Sequence, residues 1–208
     1  TETAKANAET TTASDTATTA DENPGKTVGG WNINEGSLFP GDNKAAMDAF
    51  TKATDGLEGY RYEAVAVLGE QVVSGTNYSY LCKGEMVIPD AKTEYVIVNV
   101  YETLEGSCEL TETKKILDEG WEYNQGEKEP ANNPEVEALL NKALEGFTGS
   151  SFEPIAYLGN MGEKYAIFAT ATGATLDAEK SYVIIYVEKS EDGSASITDI
   201  VDVDMAVS

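Results

Sequence analysis

The sequence predicts an α+β protein of two tandem domains, each an antiparallel four-stranded sheet wrapped on one helix. Three observations carry this prediction. The chain repeats itself at a spacing of about 90 residues. Each copy begins with an apolar stripe at helical spacing, and it continues in short segments whose apolar residues alternate between turn signals. The 208 residues, of which 41% are hydrophobic, are enough for real cores.

The first segment, residues 1–27, is predicted to be a disordered tether. Its first twenty residues include eight Thr and six Ala and no aromatic or large aliphatic residue, so burial cannot offset the entropy of ordering it. The chain does not begin with Met, and a Thr/Ala-rich acidic segment suits a protein held off a cell surface. We therefore expect an extracellular or cell-surface protein, with a lipid anchor upstream of Thr1 as one possibility and a cloning-defined tail as the alternative.

The repeat divides the rest of the chain into domains at residues 28–117 and 134–208, with 118–133 as a linker. Residues 50–69 match 140–159 at an offset of 90, and from Gly75 onward the offset is 87 because the second copy lacks three residues. Identical pairs include Gly56/Gly146, Leu68/Leu158, Gly69/Gly159, Tyr78/Tyr165 and Tyr95/Tyr182. The predicted linker is marked by Gly120, Gly126, Pro130 and Pro134.

Each copy is predicted to contain one helix followed by four strands. The helical stripe of the first copy is formed by Ala46, Met47, Phe50 and Leu57, and that of the second by Val136, Leu139, Leu140 and Ala143. In the first copy the strands are predicted at 62–73, 78–87, 95–103 and 107–116. The alternation through residues 95–101 predicts antiparallel strands that are half-buried, with one face on the core and one in solvent.

Composition excludes several function classes. With 37 acidic and 14 basic residues, the chain has no basic patch for nucleic acid. The absence of His removes Ser-His and Cys-His catalysis and imidazole metal ligands, and two Cys cannot hold a four-thiolate centre. No apolar run is long enough to cross a bilayer. We therefore expect no cofactor and no metal, and an enzyme, which would have to use carboxylates, ranks behind a binding protein.

The two cysteines are predicted to be free and mostly buried. Cys82 lies midway along one predicted strand and Cys108 just after the second hairpin, with another strand between them. This places their Cα atoms beyond the roughly 7 Å that a disulfide can bridge.

One motif lies at the first predicted hairpin. The run Gln71-Val72-Val73-Ser74-Gly75 continues into Thr76-Asn77-Tyr78, and Val28-Gly29-Gly30-Trp31 precedes the helix. These residues resemble the cystatin superfamily, the protein inhibitors of papain-like cysteine proteases, whose mark is Gln-x-Val-x-Gly in the first hairpin after a glycine-bearing N-terminal trunk. The resemblance covers residues 28–116, and the repeat extends the fold, without the motif, to the second copy.

The resemblance implies an inhibitor that blocks a protease cleft with a wedge of three segments. These would be the trunk (Gly29, Gly30 and Trp31), the first hairpin (Gln71, Val72, Val73, Ser74 and Gly75) and the second hairpin, with Leu104 at its tip. Gly75 would let the backbone approach the cleft, and the two valines would offer stiff apolar surface. The alternative is that Gly75 only forms the turn and Gln71 is an ordinary strand residue.

The sequence departs from the family in two places. The second hairpin reads Thr103-Leu104-Glu105-Gly106-Ser107, where many cystatins carry Pro-Trp. In the second copy Asn160-Met161-Gly162 replaces the motif, so we expect that domain to be a spacer or a different binding surface. The alternative function is a non-inhibitory cell-surface binding or adhesion scaffold. In either case we expect a monomer.

Overall fold

The computed structural model describes residues 29–126, 128–129, 132–175 and 177–206, so the predicted tether and Val28 lie outside the described residues. The described part holds ten strands and two α-helices. The first unit contains β1 (Trp31–Ile33), α1 (Lys44–Thr54), β2 (Tyr60–Val73), β3 (Gly75–Met86), β4 (Glu94–Glu102) and β5 (Cys108–Lys115). The second contains β6 (Glu122–Tyr123), α2 (Pro134–Leu144), β7 (Ser150–Met161), β8 (Lys164–Gly173), β9 (Lys180–Lys189) and β10 (Ala195–Asp202).

The predicted fold class is wrong. The strands form two antiparallel five-stranded sheets, in the orders β1-β2-β3-β4-β5 and β6-β7-β8-β9-β10, and the described chain is mostly β with two helices of 11 residues. The additional strand in each sheet is the segment before the helix. Because β1 has three residues and β6 has two, neither is long enough to show the alternation by which a strand is recognised.

Each helix packs one apolar face on its own sheet. α1 buries Ala46, Ala49 and Phe50 against the valines of β4, and α2 buries Val136, Leu139 and Leu140 against its own sheet in the same way. Both helices are followed by a glycine with positive φ, Gly56 at 75° and Gly146 at 77°, where a left-handed residue ends the helix readily. Leu57 lies beyond α1 and is exposed, so it is not part of the helical stripe.

The two sheets pack face to face on their other sides. One core cluster joins Leu68, Leu81 and Ile97 of the first sheet to residues such as Leu158 and Phe168 of the second. The architecture is therefore four layers, helix–sheet–sheet–helix. The prediction of half-buried strands is wrong for β4, since every residue from 95 to 100 is buried, which agrees with the nearly continuous apolar run of a strand covered on both faces. Strand β5 does alternate between partly buried and exposed residues.

The predicted linker, residues 118–133, contains strand β6. Tyr123 pairs with Gly159 of β7, as Ile33 of β1 pairs with Gly69 of β2. No described helix is long and apolar enough to cross a membrane.

Candidate protein-binding end of the first sheet

The three segments singled out by the sequence lie at one end of the first sheet. The register pairs Trp31 with Gln71, which brings the trunk beside the first hairpin. It also pairs Thr76 with Glu102, which brings the first hairpin beside the second. We call this end of the sheet, formed by residues 29–31, 71–76 and 103–107, the binding end.

The trunk is held to β2 by backbone contacts. The Gly29 amide donates to the Val72 carbonyl at 3.0 Å, and the Asn34 amide donates to the Leu68 carbonyl at 2.8 Å. Gly29 is exposed, whereas Gly30 and Trp31 are half-buried. Trp31 therefore lies within β1 rather than at the tip, and Gly29 is the trunk residue that the end presents to solvent.

Gln71 connects the trunk to the first hairpin. Its side-chain amide nitrogen donates to the Gly29 carbonyl at 3.0 Å, and its side-chain oxygen accepts from the Asn77 amide nitrogen at 2.8 Å. Both the nitrogen and the oxygen of this side-chain amide are therefore hydrogen-bonded within the protein. Gln71 therefore braces the trunk and β3 against β2.

Gly75 is required by the protein's own packing. It is buried, its φ is +128°, and a Cβ there would lie 2.4 Å from the Glu102 carbonyl oxygen and 2.8 Å from both Cε2 and the hydroxyl oxygen of Tyr101. The Tyr101 hydroxyl donates to the Ser74 carbonyl. The glycine therefore lets β4 close over the turn, and the exposed surface of the turn comes from Val73 and Ser74.

Two apolar side chains project from the tips. Val73 is 42% exposed in the first hairpin and Leu104 is 79% exposed in the second. The second hairpin is closed by a hydrogen bond from the Thr103 amide to the Ser107 carbonyl at 2.9 Å. Lys52 of α1 donates to the Gly106 carbonyl at 3.3 Å, so the helix supports this loop. The arrangement presents apolar side chains on fixed backbone.

The thiols and a tyrosine in and near the binding end have raised pKa values. Cys108 is a free thiol next to the second hairpin, and its pKa is raised by burial and then by the Glu102 carboxylate, so it stays protonated and weakly nucleophilic. Cys82 is also free, and complete burial raises the pKa of its thiol. Burial followed by nearby carboxylates raises the pKa of Tyr78 to about 12. The described residues contain no His, Cys, Asp and Glu cluster suited to a metal.

The equivalent end of the second unit has different chemistry. Trp121 occupies the position of Trp31 and packs on Tyr186, with ring centroids 5.3 Å apart. The Lys164 ammonium lies 5.1 Å from the centroid of the Tyr186 ring. Met161 is 45% exposed at the hairpin tip. This end therefore lacks the amide brace of the first unit and presents a charged, aromatic surface.

Sequence reasoning missed the start of the second unit, although the signal is present. At the offset of 90, Gly30-Trp31, Asn34 and Gly36 recur as Gly120-Trp121, Asn124 and Gly126. The two asparagines also make the same contacts: the side-chain nitrogen of Asn34 donates to the Val67 carbonyl and that of Asn124 to the Tyr157 carbonyl, both at 3.1 Å. Extending the repeat towards the N-terminus of each copy would have found β1 and β6.

Comparisons of the chain with protein-family models, with curated proteins and with solved structures found no match. The likeness to the cystatin superfamily therefore rests on the residues of the trunk and the first hairpin.

Proposed function

We propose that the first unit inhibits papain-like cysteine proteases by inserting its binding end into the active-site cleft. One observation carries the proposal: the trunk and both hairpins lie side by side at one end of one sheet, with Val73 and Leu104 exposed at the tips. Inhibition of this kind needs no reacting group in the inhibitor, which agrees with the unreactive thiols at this end.

The rigidity of the binding end supports the same proposal. The Gln71 amide joins trunk to hairpin, Tyr101 joins the hairpin to β4, and Lys52 supports the second loop. Association costs less entropy when the contacting backbone is already fixed. The exposed valine and leucine can then gain from burial in an apolar cleft, at about 25 cal/mol per Å² of apolar surface.

Titration of papain with the full chain tests this function. The variant Val73→Asp/Leu104→Asp places a charge at both tips, where the side chains are exposed and the fold does not depend on them. The matched control is Val87→Asp/Ile88→Asp, since these residues are 55% and 56% exposed in the loop at the opposite end of the same sheet. We expect inhibition by the parent and the control and a loss of at least 100-fold in the tip variant, about 3 kcal/mol.

Absence of inhibition by the parent at micromolar concentration would overturn the proposal. Equal losses of inhibition in the tip variant and the control would show a general effect of added charge. The binding end would then not be the inhibitory surface.

A second candidate is a cell-surface binding or adhesion scaffold that inhibits nothing. It is favoured by the second unit, which repeats the architecture with an aromatic and charged end built around Trp121, Tyr186 and Lys164. Two results together would support this candidate. The parent would not inhibit papain, and a protein that binds the parent would no longer bind the Met161→Asp variant.

Location and oligomeric state belong to the same proposal. An extracellular or cell-surface position, with an anchor upstream of Thr1, fits the Thr/Ala-rich composition of residues 1–27. A monomer is supported by the packing of the two sheets, because the sheet faces turned away from the helices cover each other.

A further inference from the structure

A tyrosine of the second unit reaches the point where the trunk strand of the first unit is attached. Tyr182, at the start of β9, donates its hydroxyl to the Leu68 carbonyl at 2.7 Å in a buried contact. The same carbonyl accepts the Asn34 amide directly after β1. One carbonyl oxygen of β2 thus holds both the end of the trunk strand and a side chain from the other unit.

Tyr182 is itself held firmly. Its ring stacks on Phe168 with centroids 5.6 Å apart and an angle of 17° between the planes, and the side chain is 2% exposed. Its carbonyl accepts the Val203 amide at 2.8 Å. Two residues further on, the Met205 carbonyl accepts from the side chain of Asn99 in β4 of the first unit, at 3.1 Å. The hydroxyl is therefore presented to Leu68 from a rigid support.

We infer that the second unit positions the trunk of the first, and that Tyr182 is the positioning residue. Strand β1 has three residues at the edge of its sheet, so on its own it would open readily. The hydroxyl of Tyr182 orients the Leu68 carbonyl, and this carbonyl also accepts the Asn34 amide that follows β1. The second unit, which lacks the motif, would then support the binding end of the first. The consequence for inhibition rests on the proposed function, whereas the structural consequence does not.

Amide hydrogen exchange of the full chain, followed by NMR, tests the structural part in the variant Tyr182→Phe. The ring and its stacking on Phe168 are kept, and only the hydroxyl is lost. We expect the amides of Gly29 and Asn34 to exchange roughly two- to tenfold faster, the factor that corresponds to a typical net hydrogen bond. The exchange rates of Gly29 and Asn34 are compared with those of central β3 amides, which exchange only when the whole protein unfolds.

The matched control is Tyr95→Phe. Tyr95 is the repeat equivalent of Tyr182, is equally buried, and lies beside Tyr123 of the second unit, with centroids 6.5 Å apart, rather than beside β1. Exchange at Gly29 and Asn34 should match the parent in this control. Unchanged exchange in Tyr182→Phe, or equal acceleration in both variants, would overturn the inference.

Papain titration supplies the functional part. If the parent inhibits, Tyr182→Phe should weaken inhibition two- to tenfold in the full chain, whereas the control Tyr95→Phe should inhibit as the parent does. Equal weakening in both variants, or none in Tyr182→Phe, would contradict the inference. If the parent does not inhibit at all, the proposed function fails, and the exchange result still decides whether the second unit holds the trunk.

Discussion

Gly69 lies directly beneath Asn32, so close that a Cβ on the glycine would come within 2.4 Å of the asparagine carbonyl oxygen. The repeat reproduces this relationship in the second unit, where a Cβ on Gly159 would lie 2.3 Å from the Glu122 carbonyl oxygen. Each glycine lies where a short edge strand pairs with the long strand beside it, Gly69 opposite Ile33 and Gly159 opposite Tyr123. The presence of β1 and β6 in the sheets depends on these two contacts.

Gly69→Ala should detach β1 from the sheet. The clash is with backbone, which cannot rotate away, so we expect a loss of roughly 1 to 3 kcal/mol in the free energy of unfolding, typical of overpacking. Urea unfolding measures this loss, and amide exchange at Gly29 and Asn34 should reach the rate of unprotected chain. Gly36→Ala is the control, because its added Cβ would meet only the Asn34 side-chain oxygen, at 3.4 Å. Retained protection at Gly29 in Gly69→Ala would contradict the prediction.

Gln71 and Asn77 should be energetically coupled. In a double-mutant cycle with Gln71→Ala and Asn77→Ala, each single change breaks the same 2.8 Å hydrogen bond, so the double variant should lose less than the sum. We expect a coupling free energy of about 0.5 to 1.5 kcal/mol from urea unfolding. Pairing Gln71→Ala with Gln125→Ala is the control, since Gln125 bonds instead to Thr93, and that pair should be additive. Additivity of the first pair would show that the hydrogen bond between Gln71 and Asn77 contributes nothing to the free energy of unfolding.

The two units should unfold together, because they share one core cluster. Each unit has one tryptophan, Trp31 in the first and Trp121 in the second, so the variants Trp31→Phe and Trp121→Phe report the units separately by fluorescence. We expect coincident urea midpoints. Leu81→Ala, at a fully buried position between the sheets, should cost about 2 to 5 kcal/mol and should lower both midpoints equally. A midpoint that moves for one tryptophan alone would mean that the units fold independently.

Glu94 should make stability depend on acid pH. Burial disfavours its ionised form, but hydrogen bonds from the Tyr60 hydroxyl at 2.6 Å and from the Lys115 ammonium at 3.0 Å outweigh burial, so its pKa lies below the ordinary 4.5. A carboxyl whose folded pKa is lowered stabilises the protein above its unfolded pKa, and this stabilisation is lost as pH falls through the folded pKa. Tyr60→Phe should therefore cost roughly 1 to 2 kcal/mol at pH 7 and less at pH 3.

Urea unfolding at both pH values checks the effect of Tyr60→Phe. Tyr62→Phe serves as its control, because the Tyr62 hydroxyl meets the neutral Thr113 hydroxyl at 3.2 Å, and its cost should be the same at both pH values. An equal cost for Tyr60→Phe at pH 3 and pH 7 would remove Glu94 as the source of the pH dependence.

Much of the secondary structure was accessible from local patterns. The helical stripes gave α1 and α2, and the turn at Ser74-Gly75 separated β2 from β3 as observed. Such signals are readable because they come from neighbours in the chain, at a period of 3.6 for helices or two for strands. The binding end follows from the same patterns, since consecutive antiparallel strands bring alternate hairpins to one end of a sheet.

The role of individual residues was not accessible in the same way. The sequence predicts Gln71 at a protease interface or as an ordinary strand residue, and the structure adds hydrogen bonds of its side chain to Gly29 and Asn77. The sequence predicts that Gly75 lets the backbone approach a cleft or only forms the turn, and the structure adds that a Cβ there would meet Tyr101 and the Glu102 carbonyl. Both roles depend on which strand lies alongside, and a residue type and its spacing do not contain that information.

By itself the sequence determined that this protein is two copies of one unit, with a helix, long hairpins and the Gln71-to-Gly75 motif in the first copy alone. Only the tertiary structure decided that the sheets carry fifth strands, that their faces cover each other, and that Tyr182 of one unit meets Leu68 of the other. The physical reason is separation along the chain. Periodicity and turn chemistry act between near neighbours, whereas a contact between residues 114 positions apart exists only after both sheets have formed and packed.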